Sequence, residues 1–191
     1  MKCIKIKKKI IKTAMTGSAA VLINGCTLHS WCGLGLKINE NYKIDYLIKY
    51  LNKPKNKEKL SNWLITDILI IDECSMLSVD MLNKIDKIAR IVRNKPDLAF
   101  GNMQVILVGD LLQLACIGST KLLFESKSWN DNIKKIVYLN KIIRQKDINF
   151  QEALNDIRVG YITNRCKRIF RKCVNKVLPI KNNIQPIRMF F

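Results

Sequence analysis

The feature that most constrains the fold is an apolar run that ends in two adjacent acids. Residues 68–71 (Ile-Leu-Ile-Ile) lead into Asp72 and Glu73, a helical pattern follows over residues 78–93, and a second apolar segment at 104–108 comes next. A run without polar alternation predicts a strand covered on both faces, as in a parallel sheet. Strand, helix and strand in this order predict a βαβ unit, whose carboxyl edge is where open α/β sheets bind ligands.

Further elements are predicted on both sides of this unit. We expect strands at 5–14 and 136–139, and helices opening at 16–20 and spanning 42–51, 59–64, 150–159 and 163–178. Ser78 is suited to cap the central helix and Asn149 to cap the helix that Gly160 ends. No apolar stretch is long enough to cross a bilayer, so no membrane partner is expected.

The charge of the chain points to a polyanionic partner. The sequence has 191 residues, of which 34 are Lys or Arg and 15 are Asp or Glu, giving a formal net charge of +19. Such an excess favours nucleic acid. Lys outnumbers Arg 26 to 8, and Ile and Asn are also abundant, so A/T-rich coding DNA is an equally good explanation. The seven cysteines have no C-x-x-C spacing and favour a reducing compartment over a zinc site.

The acids at the predicted strand ends are the strongest chemical signal. In nucleotide hydrolases the first of two such acids holds Mg²⁺ and the second activates the attacking water. Asp72 and Glu73 fit this pattern, although a pair of acids that caps the following helix would look the same. Gly109, Asp110 and Gln113 follow the neighbouring strand and could sense a γ-phosphate, but glycine followed by aspartate is also a common turn.

Other candidate residues are weaker when each is taken alone. Thr16, Gly17, Thr27, His29 and Ser30 lie in segments rich in hydroxyl and backbone donors, which suit nucleic-acid phosphates. His29 could equally be a structural histidine, and core packing is the default for the three tryptophans. Arg144 could stabilise a transferring phosphoryl group or simply lie on the surface. The basic helix at 163–178 is explained either by nucleic-acid binding or by an ordinary amphipathic surface.

Taken together, these segments resemble the superfamily-one helicases of the petite-integration-frequency (PIF) family. Residues 13–20 (T-A-M-T-G-S-A-A) and 27–35 (T-L-H-S-W-C-G-L-G) are similar to its motif Ia region, and 69–76 (L-I-I-D-E-C-S-M) to motif II, the Walker B element. Residues 85–93 with 100–104 resemble the stretch that distinguishes this family from other helicases. Residues 108–114 (V-G-D-L-L-Q-L) resemble motif III, and 144–147 with 154–160 resemble motif IV and the helix after it.

The resemblance implies a fold and a function. The fold would be α/β, an incomplete RecA-like parallel sheet with flanking helices over residues 1–139 and the start of a second RecA-like domain over 140–191. The function would be that of an ATP-dependent 5′-to-3′ DNA helicase. Such enzymes unwind DNA in replication, repair, recombination or telomere maintenance. ATP with Mg²⁺, single-stranded DNA and DNA junctions would be the partners, with a monomer expected in the nucleus or mitochondrion; a virus or the cytoplasm is the alternative.

Individual roles are carried over from the matching motifs. Asp72 would coordinate Mg²⁺ and Glu73 would be the catalytic base. Asp110 and Gln113 would contact the nucleotide, with Gln113 coupling the γ-phosphate to the DNA site, and Arg144 would act as an arginine finger. The single-stranded DNA track would be formed by Thr16, Gly17, Thr27, His29 and Ser30.

The sequence departs from the family pattern in several places. No G-x-x-x-x-G-K-[ST] motif is present, and motifs V and VI are also missing. Ala115 and Cys116 replace the two prolines usual after motif III, and Ala99 replaces another proline. We therefore expect the isolated chain to be inactive as an ATPase. Three versions remain open: a fragment of an active helicase, a degenerate copy, and a nucleic-acid-binding module without ATPase activity.

Overall fold

The parallel sheet predicted from the apolar runs is the centre of the larger part of the molecule. A computed structural model of the protein describes residues 8–39 and 42–174. The chain divides into two compact units, residues 1–137 and 138–191. Within the described residues the first unit holds four strands: β1 (Ile10–Ala14), β2 (Cys26–Thr27), β3 (Ile68–Asp72) and β4 (Gln104–Leu107). All pairings are parallel, in the order β2-β1-β3-β4.

Helices connect these strands and account for most of the remaining regular structure. Their bounds are α1 (Gly17–Leu22), α2 (Leu28–Cys32), α3 (Ile44–Leu51), α4 (Lys57–Ile65), α5 (Val79–Val92), α6 (Lys127–Asn132), α7 (Ile148–Arg158) and α8 (Asn164–Arg171). The Ser78 hydroxyl accepts a hydrogen bond from the Met81 N–H at 3.1 Å, which confirms the predicted cap of α5. No described helix combines the length and apolar character needed to cross a membrane.

The core lies against one face of the sheet. Leu69 and Ile71 of β3 are fully buried on this face, where they join core residues from α2 to α5. On the opposite face Ile70 is half-buried, and Ile106 and Val108 are 37% and 41% exposed. The prediction that the β3 run is covered on both faces is therefore wrong for the described structure, because α2 to α5 all contribute to the same core.

Two tryptophans form the part of the core beneath α2 and α4. Trp31 and Trp63 are 2% and 0% exposed, and their ring centroids lie 4.6 Å apart. The Trp63 indole N–H donates to the Cys32 carbonyl at 2.9 Å, and that of Trp31 donates to the Thr66 hydroxyl at 3.2 Å. Each buried indole donor is satisfied, as burial requires. These two rings are core residues, as the default interpretation predicts.

A buried carboxylate fixes the segment that follows α5. Asp86 is 6% exposed and accepts hydrogen bonds from the Phe100 N–H at 2.7 Å and the Arg90 Nε at 2.8 Å. Its other oxygen accepts from Ser128 Oγ and from Asn132 Nδ2, each at 3.3 Å, which ties α6 to α5. A buried charge is tolerated because it is paired and hydrogen-bonded in this way.

The backbone after α5 passes unusually close to the helix. Phe100, Gly101 and Asn102 have φ values of 49°, 60° and 66°, a left-handed run that strains residues with side chains. A Cβ on Gly101 would lie 2.4 Å from the Ala89 carbonyl oxygen, so only glycine fits. The Arg93 guanidinium donates to the Gly101 carbonyl at 2.8 Å and to the Trp63 carbonyl at 2.7 Å. The second half of α5 and the segment up to residue 104 are thus held together by backbone packing and by hydrogen bonds from Arg93.

The second unit contains two packed helices within its described residues, 138–174. Ala153 of α7 and Cys166 of α8 are buried, and the rings of Phe150 and Phe170 lie 6.2 Å apart. Arg165 of α8 donates to Asp156 of α7 at 3.0 Å. This bond, with a second from Thr163, lowers the pKa of the Asp156 carboxyl from its ordinary value. The assignment of residues 140–191 to a second RecA-like domain stays a prediction.

Several predicted boundaries differ from the structure. Residues 136–139 form no strand: Ile136, Val137, Tyr138 and Leu139 are 59% to 89% exposed and pair with no strand in the described part of the chain. The cap of α7 is Asp147 rather than Asn149, because the Asp147 carboxylate accepts from the Phe150 N–H. The last helix begins at the Thr163 cap but ends at Arg171. Residues 5–7 and 175–178 of the predicted elements lie outside the described residues.

We predict that Asp86→Ala lowers the free energy of unfolding by about 3 kcal/mol. The substitution leaves the half-buried Arg90 guanidinium and the buried Phe100 N–H without their shared acceptor. Urea denaturation followed by circular dichroism measures the loss. Asp97→Ala, which removes an exposed carboxylate, is the matched control and should change stability by less than about 0.5 kcal/mol. Equal stability of the two variants would show that the Asp86 cluster does not hold this segment.

Candidate active site

Asp72 and Glu73 lie where β3 ends at the carboxyl edge of the sheet. Asp72 is the last residue of β3 and is half-buried; its backbone carbonyl accepts from the Met15 N–H at 3.3 Å. One carboxylate oxygen of Asp72 accepts from the Glu73 N–H at 3.0 Å. The second oxygen makes no described hydrogen bond, so it is available to a ligand. The two acids therefore lie at the sheet edge. They do not cap the following helix, because Ser78 caps α5.

The chain turns at Glu73 through the left-handed backbone conformation. Glu73 has φ 54° and ψ 44°, the left-handed region, which costs a residue with a Cβ about 1 kcal/mol or more. The turn is held because the Cys74 N–H donates to the Val108 carbonyl at 3.0 Å and the Met76 N–H donates to the Glu73 carbonyl at 3.2 Å. Sequence patterning gave no sign of this conformation, since glutamate rarely adopts it.

The loop after β4 approaches the Glu73 turn closely. A Cβ on Gly109 would lie 2.9 Å from the Cys74 nitrogen and 3.0 Å from its sulfur, so a larger residue would push the two loops apart. Asp110 follows directly. Its carboxylate accepts from the Leu112 N–H at 3.1 Å and from the Gln113 side-chain amide at 3.3 Å. The structure thus brings the Asp72 and Glu73 turn and the Asp110 to Gln113 loop to one edge of the sheet.

Burial makes the thiol between these loops chemically inert. Cys74 is 3% exposed, and burial raises its pKa to about 11; the nearby carboxylates of Asp72 and Glu73 add to the increase. Burial also raises the pKa of Cys32, which is fully buried in α2. Because the thiolate is the reactive form, neither cysteine is suited to a nucleophilic role. No group of three or more potential metal-ligating residues occurs within residues 8–39 and 42–174.

Two threonines organise the segments predicted to meet nucleic acid. The Thr16 hydroxyl accepts from the Ala19 N–H and caps α1, and the Thr27 hydroxyl accepts from the Ser30 N–H and caps α2, each at 3.2 Å. Gly17 has open space where a Cβ would be, so a ligand can reach the backbone there. Ser30 is exposed. The threonines therefore have a structural role in addition to any contact with a ligand.

His29 is half-buried and has a partner that the sequence did not reveal. Its Nε2 lies 3.0 Å from the side-chain amide nitrogen of Asn39, ten residues further along the chain. This bond orients the imidazole of His29, which belongs to the first turn of α2. Asn39 had no motif to mark it, and only the folded chain brings it to His29.

Arg144 lies in the second unit. It is exposed, within a stretch of residues 133–147 that forms neither helix nor strand. Its predicted role as an arginine finger toward the nucleotide remains a prediction.

We predict that iodoacetamide at pH 8 labels Cys173 on the order of 100-fold faster than Cys74 in the folded protein. Cys173 is exposed, whereas the raised pKa and burial of Cys74 suppress both its thiolate form and its access to reagent. Peptide mass spectrometry over a time course gives both rates, and labelling in urea is the control in which both thiols react. Equal rates without denaturant would contradict the packing around Cys74.

Comparison with known proteins identifies the family. The sequence model for PIF1-like helicase matches residues 1–168. The ATP-dependent DNA helicase RRM3 of Saccharomyces cerevisiae is 37% identical over 190 residues, which are 96% of this chain and 25% of that protein. The chain thus spans about a quarter of the length of this relative.

Solved structures agree with the sequence comparison. The crystal structure of the Pif1 helicase from Candida albicans matches with a TM-score of 0.81 and 36% identity, over 93% of this chain and 39% of that one. A crystal structure of the Pif1 helicase from Bacteroides in complex with ADP-AlF3 and ssDNA matches with a TM-score of 0.68 and 28% identity, over 94% of this chain and 43% of that one. These matches confirm the RecA-like fold class. The chain belongs to the PIF1-like helicase family.

Proposed function

We propose that the chain is part of an ATP-dependent 5′-to-3′ DNA helicase, which couples ATP hydrolysis to unwinding in replication, repair, recombination or telomere maintenance. One observation carries the proposal. The turn with Asp72 and Glu73 and the loop with Asp110 and Gln113 are joined at one sheet edge by the bond from the Cys74 N–H to the Val108 carbonyl. This is the edge where α/β sheets bind ligands, and both segments match family motifs in order.

The residues at this edge fit a nucleotide with Mg²⁺. Asp72 keeps one carboxylate oxygen without a described hydrogen-bond partner, and Mg²⁺ in nucleotide sites is typically held by one or two carboxylates together with water and phosphate oxygens. When bound, the ion would neutralise charge on the phosphates. The Asp72 backbone is fixed by its strand pairing to β1, so the carboxylate is held in place before the nucleotide arrives.

Glu73 is the residue proposed to accept a proton from the attacking water. Asp72 has the extended backbone of β3 and Glu73 the left-handed conformation, and we infer that this difference lets the two adjacent acids take different tasks. Gln113 is proposed to sense the γ-phosphate, and Asp110 supports it by accepting a hydrogen bond from its amide. Arg144 is proposed to supply positive charge to the transferring phosphoryl group.

The proposed DNA track runs over the starts of α1 and α2. Thr16, Gly17, Thr27, His29 and Ser30 lie in this region, with Gly17 and Ser30 accessible to a ligand. The Bacteroides relative was crystallised with ssDNA, which supports single-stranded DNA as the partner. Three further proposals rest on the family resemblance alone. The protein acts on DNA junctions, it is a monomer, and it works in the nucleus or mitochondrion, with a virus or the cytoplasm as the alternative.

A second candidate function is single-stranded nucleic-acid binding without ATP hydrolysis. The observation in its favour is that the 191 residues contain no G-x-x-x-x-G-K-[ST] motif, whose backbone and lysine cradle the β- and γ-phosphates. The surface around α1 and α2 does not depend on that motif. We therefore expect the 191-residue chain by itself to bind DNA and to show negligible ATPase activity.

We predict that a chimera is an active ATPase when the 191 residues of this chain replace the matching segment of the Candida albicans Pif1 helicase. The Candida albicans protein then supplies the remaining parts of the enzyme. In this chimera, Glu73→Gln should reduce DNA-stimulated ATP turnover about 100-fold or more, because the proposed base is lost. A coupled assay of ADP release measures turnover.

Glu58→Gln is the matched control for this test. It removes an exposed carboxylate from the first turn of α4 and should leave turnover within about twofold. A chimera that folds and binds DNA but is inactive with the native Glu73 would support the non-catalytic candidate. Turnover that survives Glu73→Gln would contradict the role proposed for Glu73.

We predict that the 191-residue chain binds fluorescein-labelled oligothymidylate with an affinity that falls steeply between 50 and 200 mM salt, as phosphate contacts require. His29→Ala with Ser30→Ala should weaken binding about tenfold, measured by fluorescence anisotropy. Asn52→Ala, at the exposed end of α3, is the control and should bind as wild type. Binding no tighter than that of an unrelated protein of equal charge would rule out both candidate functions for this surface.

A further inference from the structure

A cavity of about 600 Å³ opens beside α2. His29 and Ser30 line one side, which is the side of the proposed DNA track, and Lys37, Tyr50 and Lys59 line the rest together with the backbone around Gly33. These residues come from α2, α3, α4 and the short helical turn at 35–38. The side of the cavity from His29 to Gly35 belongs to the segment that resembles motif Ia, whereas Lys37, Tyr50 and Lys59 lie outside it.

The lining carries positive charge that the described protein does not neutralise. None of the described residues that line the cavity is Asp or Glu. Within residues 8–39 and 42–174, neither Lys37 nor Lys59 forms an ion pair with a carboxylate. Two lysine ammonium groups beside the same cavity repel each other, and an anion placed between them relieves the repulsion.

Gly33 lets the Lys59 side chain pack against the end of α2, where both residues line the cavity. Gly33 ends α2 in the left-handed conformation, with φ 66°, and a Cβ at this position would lie 2.4 Å from the Cβ of Lys59. The methylenes of Lys59 therefore pack directly on the Gly33 backbone. This packing restricts the methylene stem of Lys59, so less side-chain freedom is lost when its ammonium group binds an anion.

Tyr50 provides an aromatic ring with two lysine ammonium groups close to it. The ammonium nitrogen of Lys37 lies 5.5 Å from the centroid of the Tyr50 ring, and that of Lys53 lies 6.0 Å from it. The ring is half-buried, so it is held firmly but remains accessible. Lysines around a fixed aromatic ring are the combination that single-stranded nucleic-acid sites use, because the cations bind phosphates and the ring stacks on a base.

We propose that this cavity is a nucleotide-binding subsite for a single strand of nucleic acid, which continues the track from His29 and Ser30. A backbone phosphate draws the Lys37 ammonium group away from the Tyr50 ring and lies between Lys37 and Lys59, and the adjoining base stacks on the ring in its place. The hydrogen bond between His29 and Asn39 orients the imidazole at the entrance of the subsite. The inference rests on the proposed function, and it adds contacts from Lys37, Tyr50 and Lys59, which lie outside the segments that resemble family motifs.

The test compares two double variants of the 191-residue chain in oligothymidylate binding across a salt series. Lys37→Gln with Lys59→Gln removes both proposed phosphate contacts, so the slope of log affinity against log salt should fall by about 1.4, or about 0.7 per contact. Lys87→Gln with Lys95→Gln removes the same charge from exposed positions outside the cavity and should leave the slope near the wild-type value. Thermal unfolding establishes that both variants are folded.

The base contact is tested separately with 5-iodouracil-substituted oligonucleotide and ultraviolet crosslinking. The peptide that contains Tyr50 should crosslink in wild type and in Tyr50→Phe, and crosslinking should be lost in Tyr50→Leu, which keeps bulk but not the ring. Stacking predicts that Tyr50→Leu also weakens affinity about fivefold to 100-fold. Crosslinks only elsewhere would overturn the assignment of Tyr50.

The outcomes separate this inference from the proposed function. If the wild type binds oligothymidylate and the Lys37→Gln, Lys59→Gln double variant shows the same slope of log affinity against log salt, the subsite is overturned and the DNA track is not. No wild-type binding overturns both. Inorganic phosphate added at constant ionic strength tests for a free anion as the ligand. If phosphate protects Lys37 and Lys59 from acetylation but oligothymidylate does not, the cavity binds a free anion and the subsite is overturned.

Discussion

The pairing of β3 with a parallel strand on each side is the interaction on which the rest of this structure depends. β3 pairs with β1 over five residues and with β4 over four, which aligns the ends of all three strands at one edge. Backbone bonds continue beyond the strands, from the Met15 N–H to the Asp72 carbonyl and from the Cys74 N–H to the Val108 carbonyl. The loops that carry the proposed chemistry are therefore extensions of the sheet, and their positions follow from its register.

Buried polar contacts supply the specificity that apolar packing lacks. Asp86 accepts a hydrogen bond from the backbone N–H of Phe100, and Arg93 donates to the backbone carbonyls of Gly101 and Trp63. Gly101 allows the backbone to lie against Ala89 of α5, which any side chain would prevent. These contacts fix the stretch 85–104, which carries the resemblance that distinguishes this helicase family. Because β4 begins at Gln104, the same contacts determine where β4 enters the sheet and hence where Asp110 and Gln113 lie.

The sequence predicted best what local patterns control. The βαβ unit, the Ser78 cap and the cores of β1, β3 and β4 follow from apolar periodicity and capping chemistry. Features set by tertiary contacts were not predictable. The one-sided cover of β3, the left-handed Glu73, and the partnership of His29 with Asn39 depend on segments that are distant in the chain. The apolar residues at 136–139 have the pattern of a strand, but they pair with no strand among residues 8–39 and 42–174.

The central claim is that the segments at the starts of α1 and α2 form one nucleic-acid surface with the adjoining cavity. Hydrogen–deuterium exchange with and without oligothymidylate tests this claim most directly. The account predicts slower exchange on binding in peptides that cover residues 16–22 and 27–37, with β3 protected in both states because it pairs on both sides. Peptides of α5 should show no change. Protection confined to α5 or α8, or absent from residues 27–37, would contradict the account.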